Sequence, residues 1–248
     1  MKRLKQKLCY SVAIAALAGG MTLTTNPAAA EENSPWHFDA SLNLFLAGMT
    51  GDVTAKGLSS QVDASFSQIF DHLEAGAAGR FTLGHEKWFF STEFSYLKLS
   101  APTSAADAEL EQWLVEPSLG YQVCKHAQVF AGARYNNING DITFNGPAGR
   151  VATGTQDWWD PIVGANLTLP LIKDKLSFDG HFDIGGFGAG SDLTWQAFPY
   201  FNWRFAKWGS AQLGYRWLGT DYETGSGLNK FKYDVVLQGV QVGVTAHF

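Results

Sequence analysis

Asp179, His181 and Asp183 stand two residues apart. On a β-strand that spacing puts all three on one face, so two carboxylates flank an imidazole. Such a set can orient a general base. A base needs a group to activate, and no nucleophile motif accompanies this one: Ser191-Asp192 follows in a loop with nothing to mark it. A satisfied polar cluster is therefore the first reading, and hydrolysis using His181 with Asp179 or Asp183 is the rival. His37, His72, His85, His126 and His247 are scattered without metal-ligand spacing, so neither a metal nor a cofactor is expected. Gly185-Gly-Phe-Gly-Ala-Gly-Ser-Asp192 has the glycines of a phosphate loop but lacks Gly-Lys-Ser/Thr, and no helix follows. A tight turn between antiparallel strands uses the same glycines.

These residues need strands to hold them, and the chain supplies strands by period-two alternation. Between Trp36 and Thr50, Trp36, Phe38, Ala40, Leu42, Leu44 and Leu46 share one face, while His37, Asp39, Ser41 and Asn43 share the other. The pattern recurs at 73–83, 88–99, 109–123, 128–144, 156–170, 175–186, 193–205, 210–222 and 231–248, which gives ten segments. Tight turns at 85–87, 124–126, 172–175 and 206–209 alternate with longer links near 51–72, 101–108, 145–155, 187–192 and 223–230. Eight or twelve strands also fit if segment boundaries shift. With the apolar face outward, Glu74, Arg80, Glu93, Glu116, Arg134, Asp160, Asp179, His181, Asp183, Arg204 and Arg216 turn inward. Buried charges must pair, so they read as a mixed-charge network filling the interior.

One stretch departs from period two. Phe66, Ile69, Phe70 and Leu73 fall at i, i+3, i+4 and i+7, one face of a short helix, with Asp63 or Ser65 as its cap. That face must be buried in the mouth of the fold, as a plug, or on a headgroup rim. The helix has no basic residue for anionic headgroups, which favours the mouth.

Lys2, Arg3, Lys5 and Lys7 precede an apolar run to about Leu23, and Ala28-Ala29-Ala30 offers a small-residue cleavage site at Ala28 and Ala30. Residues 1–30 read as a secretory signal and 31–248 as one domain. Removing the leader's four basic residues from eighteen leaves fourteen against twenty-three acidic ones, a net charge near −9, which argues against nucleic acid. Cys9 would leave with the leader, so Cys124 would be alone in the mature chain. No later apolar run is long enough for a spanning helix, yet aromatic residues make up 14% of the chain. A membrane protein without spanning helices must be a closed barrel, and its aromatics form interfacial girdles. The fold expected is an all-β, antiparallel up-and-down transmembrane barrel, with the short helix in its first long loop.

The chain ends Gln241-Val-Gly-Val-Thr-Ala-His-Phe248. With Gln241, Gly243, Ala246 and the terminal Phe248, this resembles the C-terminal β-signal of bacterial outer-membrane barrels. The resemblance implies export through the periplasm, recognition by the barrel-assembly machinery, and residence in outer-membrane lipid. Ser65-Phe-Ser-Gln-Ile-Phe-Asp-His-Leu73, Asp183-Ile-Gly-Gly-Phe-Gly-Ala-Gly-Ser-Asp-Leu-Thr-Trp195 and Gly214-Tyr-Arg-Trp-Leu-Gly-Thr-Asp-Tyr222 are similar to a family of uncharacterised small outer-membrane barrel proteins. That resemblance implies a barrel and supplies no functional residue. No motif matches outer-membrane proteases, lipid deacylases or phospholipases. The expectation is a non-enzymatic barrel, structural or a narrow porin-like conduit for small polar solutes. The alternatives are a surface adhesion protein acting through loops 51–72 and 145–155, and the His181 hydrolase. The sequence names no solute and no oligomeric state.

Overall fold

A computed structural model describes residues 35–55, 58–102, 106–144 and 151–248. The leader at 1–30, with its Ala28 and Ala30 site, and residues 145–150 of the 145–155 loop lie outside them.

Alternating apolar and polar residues form long strands, and the strands close on themselves. In chain order they are β1 (Trp36–Ala55), β2 (Leu58–Ala64), helix α1 (Phe66–Asp71), β3 (Leu73–His85), β4 (Trp88–Pro102) and β5 (Ala106–Cys124). Then come β6 (Ala127–Phe144), β7 (Val151–Ile172), β8 (Leu176–Gly186), β9 (Leu193–Ala206), β10 (Gly209–Thr224) and β11 (Phe231–His247). Each strand from β3 to β11 pairs with its neighbour, β3 pairs with β1, and β1 pairs with β11. The ring therefore has ten antiparallel strands. β2 stands outside it as a hairpin on the outer half of β1, from Met49↔Ala64 to Ala55↔Leu58. The even count leaves both ends of the ring at the tight-turn rim, the periplasmic side for a barrel of this kind.

Pairing of β1 with β11 joins the two ends of the sheet. β1 and β11 pair without a register shift from Asp39↔His247 to Ala55↔Phe231. Phe248 finishes the seam: Phe38 and Phe248 exchange backbone hydrogen bonds of 3.1 and 2.9 Å, and their rings lie 5.8 Å apart.

Side chains sort by period two. Leu42, Leu44, Phe81, Leu83, Leu119, Val163, Phe201, Leu213 and Val244 stand exposed on the outer face. So much contiguous exposed apolar surface is unfavourable in water and suits hydrocarbon. Aromatics flank this band. Tyr96–Trp113, Tyr135–Trp159 and Tyr215–Trp217 pairs, with centroids 4.5 to 4.9 Å apart, mark its outer boundary. Trp88–Tyr121 and Phe205–Trp208 mark the periplasmic one. No helix among the described residues is long and apolar enough to cross a membrane.

Ser65, not Asp63, caps α1: the Gln68 N–H donates to its hydroxyl, and its own N–H donates to Gln68 Oε1 at 2.8 Å. The glycine-rich run is a turn, as expected, with Gly186 and Gly188 at φ +87° and +73°. The expectation that Cys9 leaves with the leader falls outside the described residues.

Candidate functional site

The lumen is divided into three layers. The middle layer is a belt of six charges, three of each sign. Strand pairing sets Glu93 opposite both Arg80 and Glu116. Two carboxylates facing each other repel unless cations lie between them. Arg80 and Arg216 both bond Glu93. Arg134, fully buried, reaches Glu116 at 2.7 Å, Asp183 at 3.0 Å and the Thr194 hydroxyl at 2.7 Å. Arg216 also donates to Gln196 at 2.6 Å and Gln241 at 3.1 Å, and lies 5.4 Å from the Phe45 ring.

His181 joins the edge of this belt. Its Nδ1 lies 2.6 Å from Asn166 Oδ1, its Nε2 lies 3.3 Å from Asp183, and its ring stacks on Phe130. Asp179 is buried one step nearer the periplasm and forms no ion pair with His181 among the described residues. The expected imidazole between two carboxylates is thus an imidazole beside one. Glu116, His181 and Asp183 bring ligand atoms within 4.8 Å of one another, but Arg134 already holds both carboxylates, so a metal cation would compete with it.

Three residues expected in the network stand elsewhere. Asp160 is buried but accepts from Trp158 Nε1 at 3.0 Å and the Ser191 N–H at 2.6 Å, so it clamps the glycine-rich turn instead of a cation. Glu74 is on the outer face, 2.7 Å from Lys98, because a register shift between Leu73 and Ala75 reverses its direction. Arg204 has inward parity but is exposed at the periplasmic rim and joins no ion pair among the described residues.

The outer layer is apolar. Met49, Ile138, Trp158, Tyr233 and Val235 form a buried cluster, and Trp158 stacks on Tyr222 at 4.0 Å. Ile69 of α1 packs against this cluster. No residue of α1 is itself buried, and Phe70 is 57% exposed. The helix therefore touches the mouth cluster through Ile69 and leaves Phe70 outside it. Side chains of the strands close the mouth, and α1 rests beside them. Above the membrane band, Asp52, Asp234 and Asp221 face one another across three strands. Burial and then Asp234 push the Asp221 carboxyl above its ordinary value.

The inner layer is a polar cavity of about 240 Å³, lined by Ser41, Gln128, Asn166, Asn202, Gln212 and Thr245 among others. At its periplasmic end Ser210 Oγ lies 3.0 Å from His247 Nε2, and His247 Nδ1 lies 2.7 Å from Asp39 Oδ1. That is the connectivity of a hydroxyl, its base and the acid that orients the base. It also stitches β10, β11 and β1 together. In sequence His247 stands isolated. The signal that would find its partners is closure, which sets Asp39 directly opposite His247.

The C-terminal residues build the seam. Gln241 takes a hydrogen bond from Arg216. A methyl on Gly243 would lie 2.2 Å from Asn43 Oδ1 and 2.7 Å from Gln212 Nε2, so a side chain there would displace that hydrogen-bonded pair. Ala246 pairs with Ala40 and Gly209.

A closed ten-stranded barrel with an apolar outer band, two aromatic girdles and a polar, charge-paired interior defines the class: an integral outer-membrane β-barrel protein. No family model and no curated protein matches the chain. Among solved structures, it is similar to the translocator domain of the autotransporter NalP from Neisseria meningitidis, at 13% identity and TM-score 0.45, covering 100% of this chain and 98% of that one. It is also similar to Ail, the attachment invasion locus protein of Yersinia pestis, at 7% identity and TM-score 0.42, covering 87% and 99%. A major outer membrane protein from Thermus thermophilus has 12% identity and TM-score 0.39, covering 85% and 99%. Similarity at this level carries no functional reading, which rests on the chain's own geometry.

Proposed function

We propose that the protein is a non-conducting outer-membrane barrel, in which a polar cavity on the periplasmic side ends at the charge belt. The observation that carries this is the stacking of two barriers, the arginine–carboxylate belt and the Trp158–Tyr222–Tyr233 cluster above it. Small polar solutes fit the cavity but meet a desolvated ion-pair network beyond it. Outer-membrane lipid is the partner assigned to the outward band, and the barrel-assembly machinery to the C-terminal strand. The test is ionic conductance of the purified barrel in a planar bilayer, with and without residues 63–73. Both forms should be silent, because strand side chains make the seal. Stepwise current through the intact protein would overturn the reading. Current appearing only after the deletion would return the sealing role to α1.

The Ser210–His247–Asp39 chain favours a second reading, an esterase acting on small acyl esters that enter from the periplasm. Ser210 sits in the barrel wall, paired with Arg204 and Thr245 and only 2% exposed, which disfavours attack by its hydroxyl on an ester. The first reading therefore expects no hydrolysis of p-nitrophenyl esters. Turnover by the folded barrel that is lost in Ser210→Ala would establish the second.

A further inference from the structure

The ladder between β1 and β3 runs from Trp36↔His85 to Asn43↔Ala78 and stops there. On that edge the next paired residue of β1 is Met49, which meets Ala64 of β2. Residues 44–48 therefore have no strand partner on that side. Between Leu73 and Ala77, β3 is paired only with β4. The nearest neighbours of a methyl at Gly76 would be Leu73 and Tyr96, on β3 and β4, and not an atom of β1. By contrast, β4 and β5 stay paired as far as Pro102↔Asp107. The break begins at the outer girdle, since Ala77 pairs with Tyr96.

A cavity of about 140 Å³ occupies this break. It touches Leu44 and Leu46 from the outer face of β1 and Phe45 and Met49 from the lumenal face. A cavity lined by successive residues of one strand runs along that strand's free edge, where the outer surface and the lumen lie on either side. α1 supplies its roof with Phe66, Ile69 and Phe70, and Leu114, Leu218 and Leu237 receive it inside. Unpaired strand backbone is tolerated at membrane depth only where protein covers it or it lines a cavity. Here α1 stands where the missing ladder would be. The lining is mainly apolar, with Asn43, Ser95, Gln112 and Arg216 as its polar members, and an apolar cavity of roughly 150 Å³ accepts a benzene-sized group.

We infer that the break between β1 and β3 is a lateral binding site for the end of a hydrocarbon chain, the acyl tail of a lipid in the surrounding membrane. Position argues for this occupant: the opening leaves the barrel through the outward apolar band, at its outer girdle, where acyl chains are the apolar species at hand. The amphipathic face of α1 thereby gains a use that plugging the mouth does not give it. The inference does not depend on whether the lumen conducts.

The test reconstitutes the barrel in phosphatidylcholine vesicles that carry a photoreactive diazirine at the acyl terminus, then maps the labelled residues. Label is expected on the lumen-facing Phe45, Met49 or Leu237 as well as on lipid-facing residues such as Leu213. Ala47→Phe fills the opening from the lumenal side and should lose the lumenal label while keeping the lipid-facing label and heat-modifiable migration. If that variant does not fold, Gly76→Leu fills the opening from β3 and is read the same way. Label confined to lipid-facing residues of the unmodified barrel would overturn the inference. So would lumenal label that persists undiminished in a folded filling variant.

Discussion

Replacing Arg134 by methionine should destabilise the barrel by about 3–5 kcal/mol, measured by reversible unfolding in lipid vesicles. Arg134 is fully buried and is the cation bonded to Glu116 and Asp183. Methionine fills similar volume but leaves two carboxylates in a low-dielectric interior without a counter-charge. The desolvation that the guanidinium offsets then stands uncompensated. The triple variant Arg134→Met, Glu116→Gln, Asp183→Asn removes the charges together and should regain most of the loss. A single-variant penalty below about 1 kcal/mol would mean that water reaches the belt, and the lumen would not be sealed there.

Leu213→Arg should cost about 2–4 kcal/mol, the penalty for a charge on the lipid face near the midplane. Leu213 is 54% exposed on the outer face of β10. Its neighbour Gln212 lines the polar cavity and donates to Asn43 Oδ1 at 2.6 Å. Gln212→Arg puts the same charge among polar groups and water and should cost clearly less. Equal penalties would contradict the assignment of faces along β10.

The strand count and the faces of the strands are legible in the sequence because lipid outside and polar groups inside force period two along every spanning segment. The pattern weakens where that forcing ends. The 51–72 link reads as loop and helix, yet β1 runs on to Ala55 and pairs with β2, above the membrane band. There the chain faces water on its outer side and apolar residues within, so inward Tyr233 and Val235 reverse the rule that sorts the charges. Glu74 escapes that rule for a smaller reason. One register shift turns a side chain through the wall, and nothing in local composition marks it. Asp160 has the expected face and a different partner, because the Ser191 N–H of the glycine-rich turn reaches back to it. The Ser210–His247–Asp39 chain joins residues up to 208 positions apart and exists only once the ends of the sheet have met.

A lumen sealed at and above the charge belt keeps water-soluble reagents from crossing it. Single cysteines test it in the Cys124→Ser background: Thr82→Cys in the periplasmic cavity and Gln112→Cys beyond the belt. Vesicle-reconstituted barrels are exposed to a charged, membrane-impermeant methanethiosulfonate reagent from each side in turn. The seal predicts that Thr82→Cys reacts from the periplasmic side only and that Gln112→Cys resists reagent from both. Comparable rates at the two positions from one side would show a continuous aqueous path and contradict it.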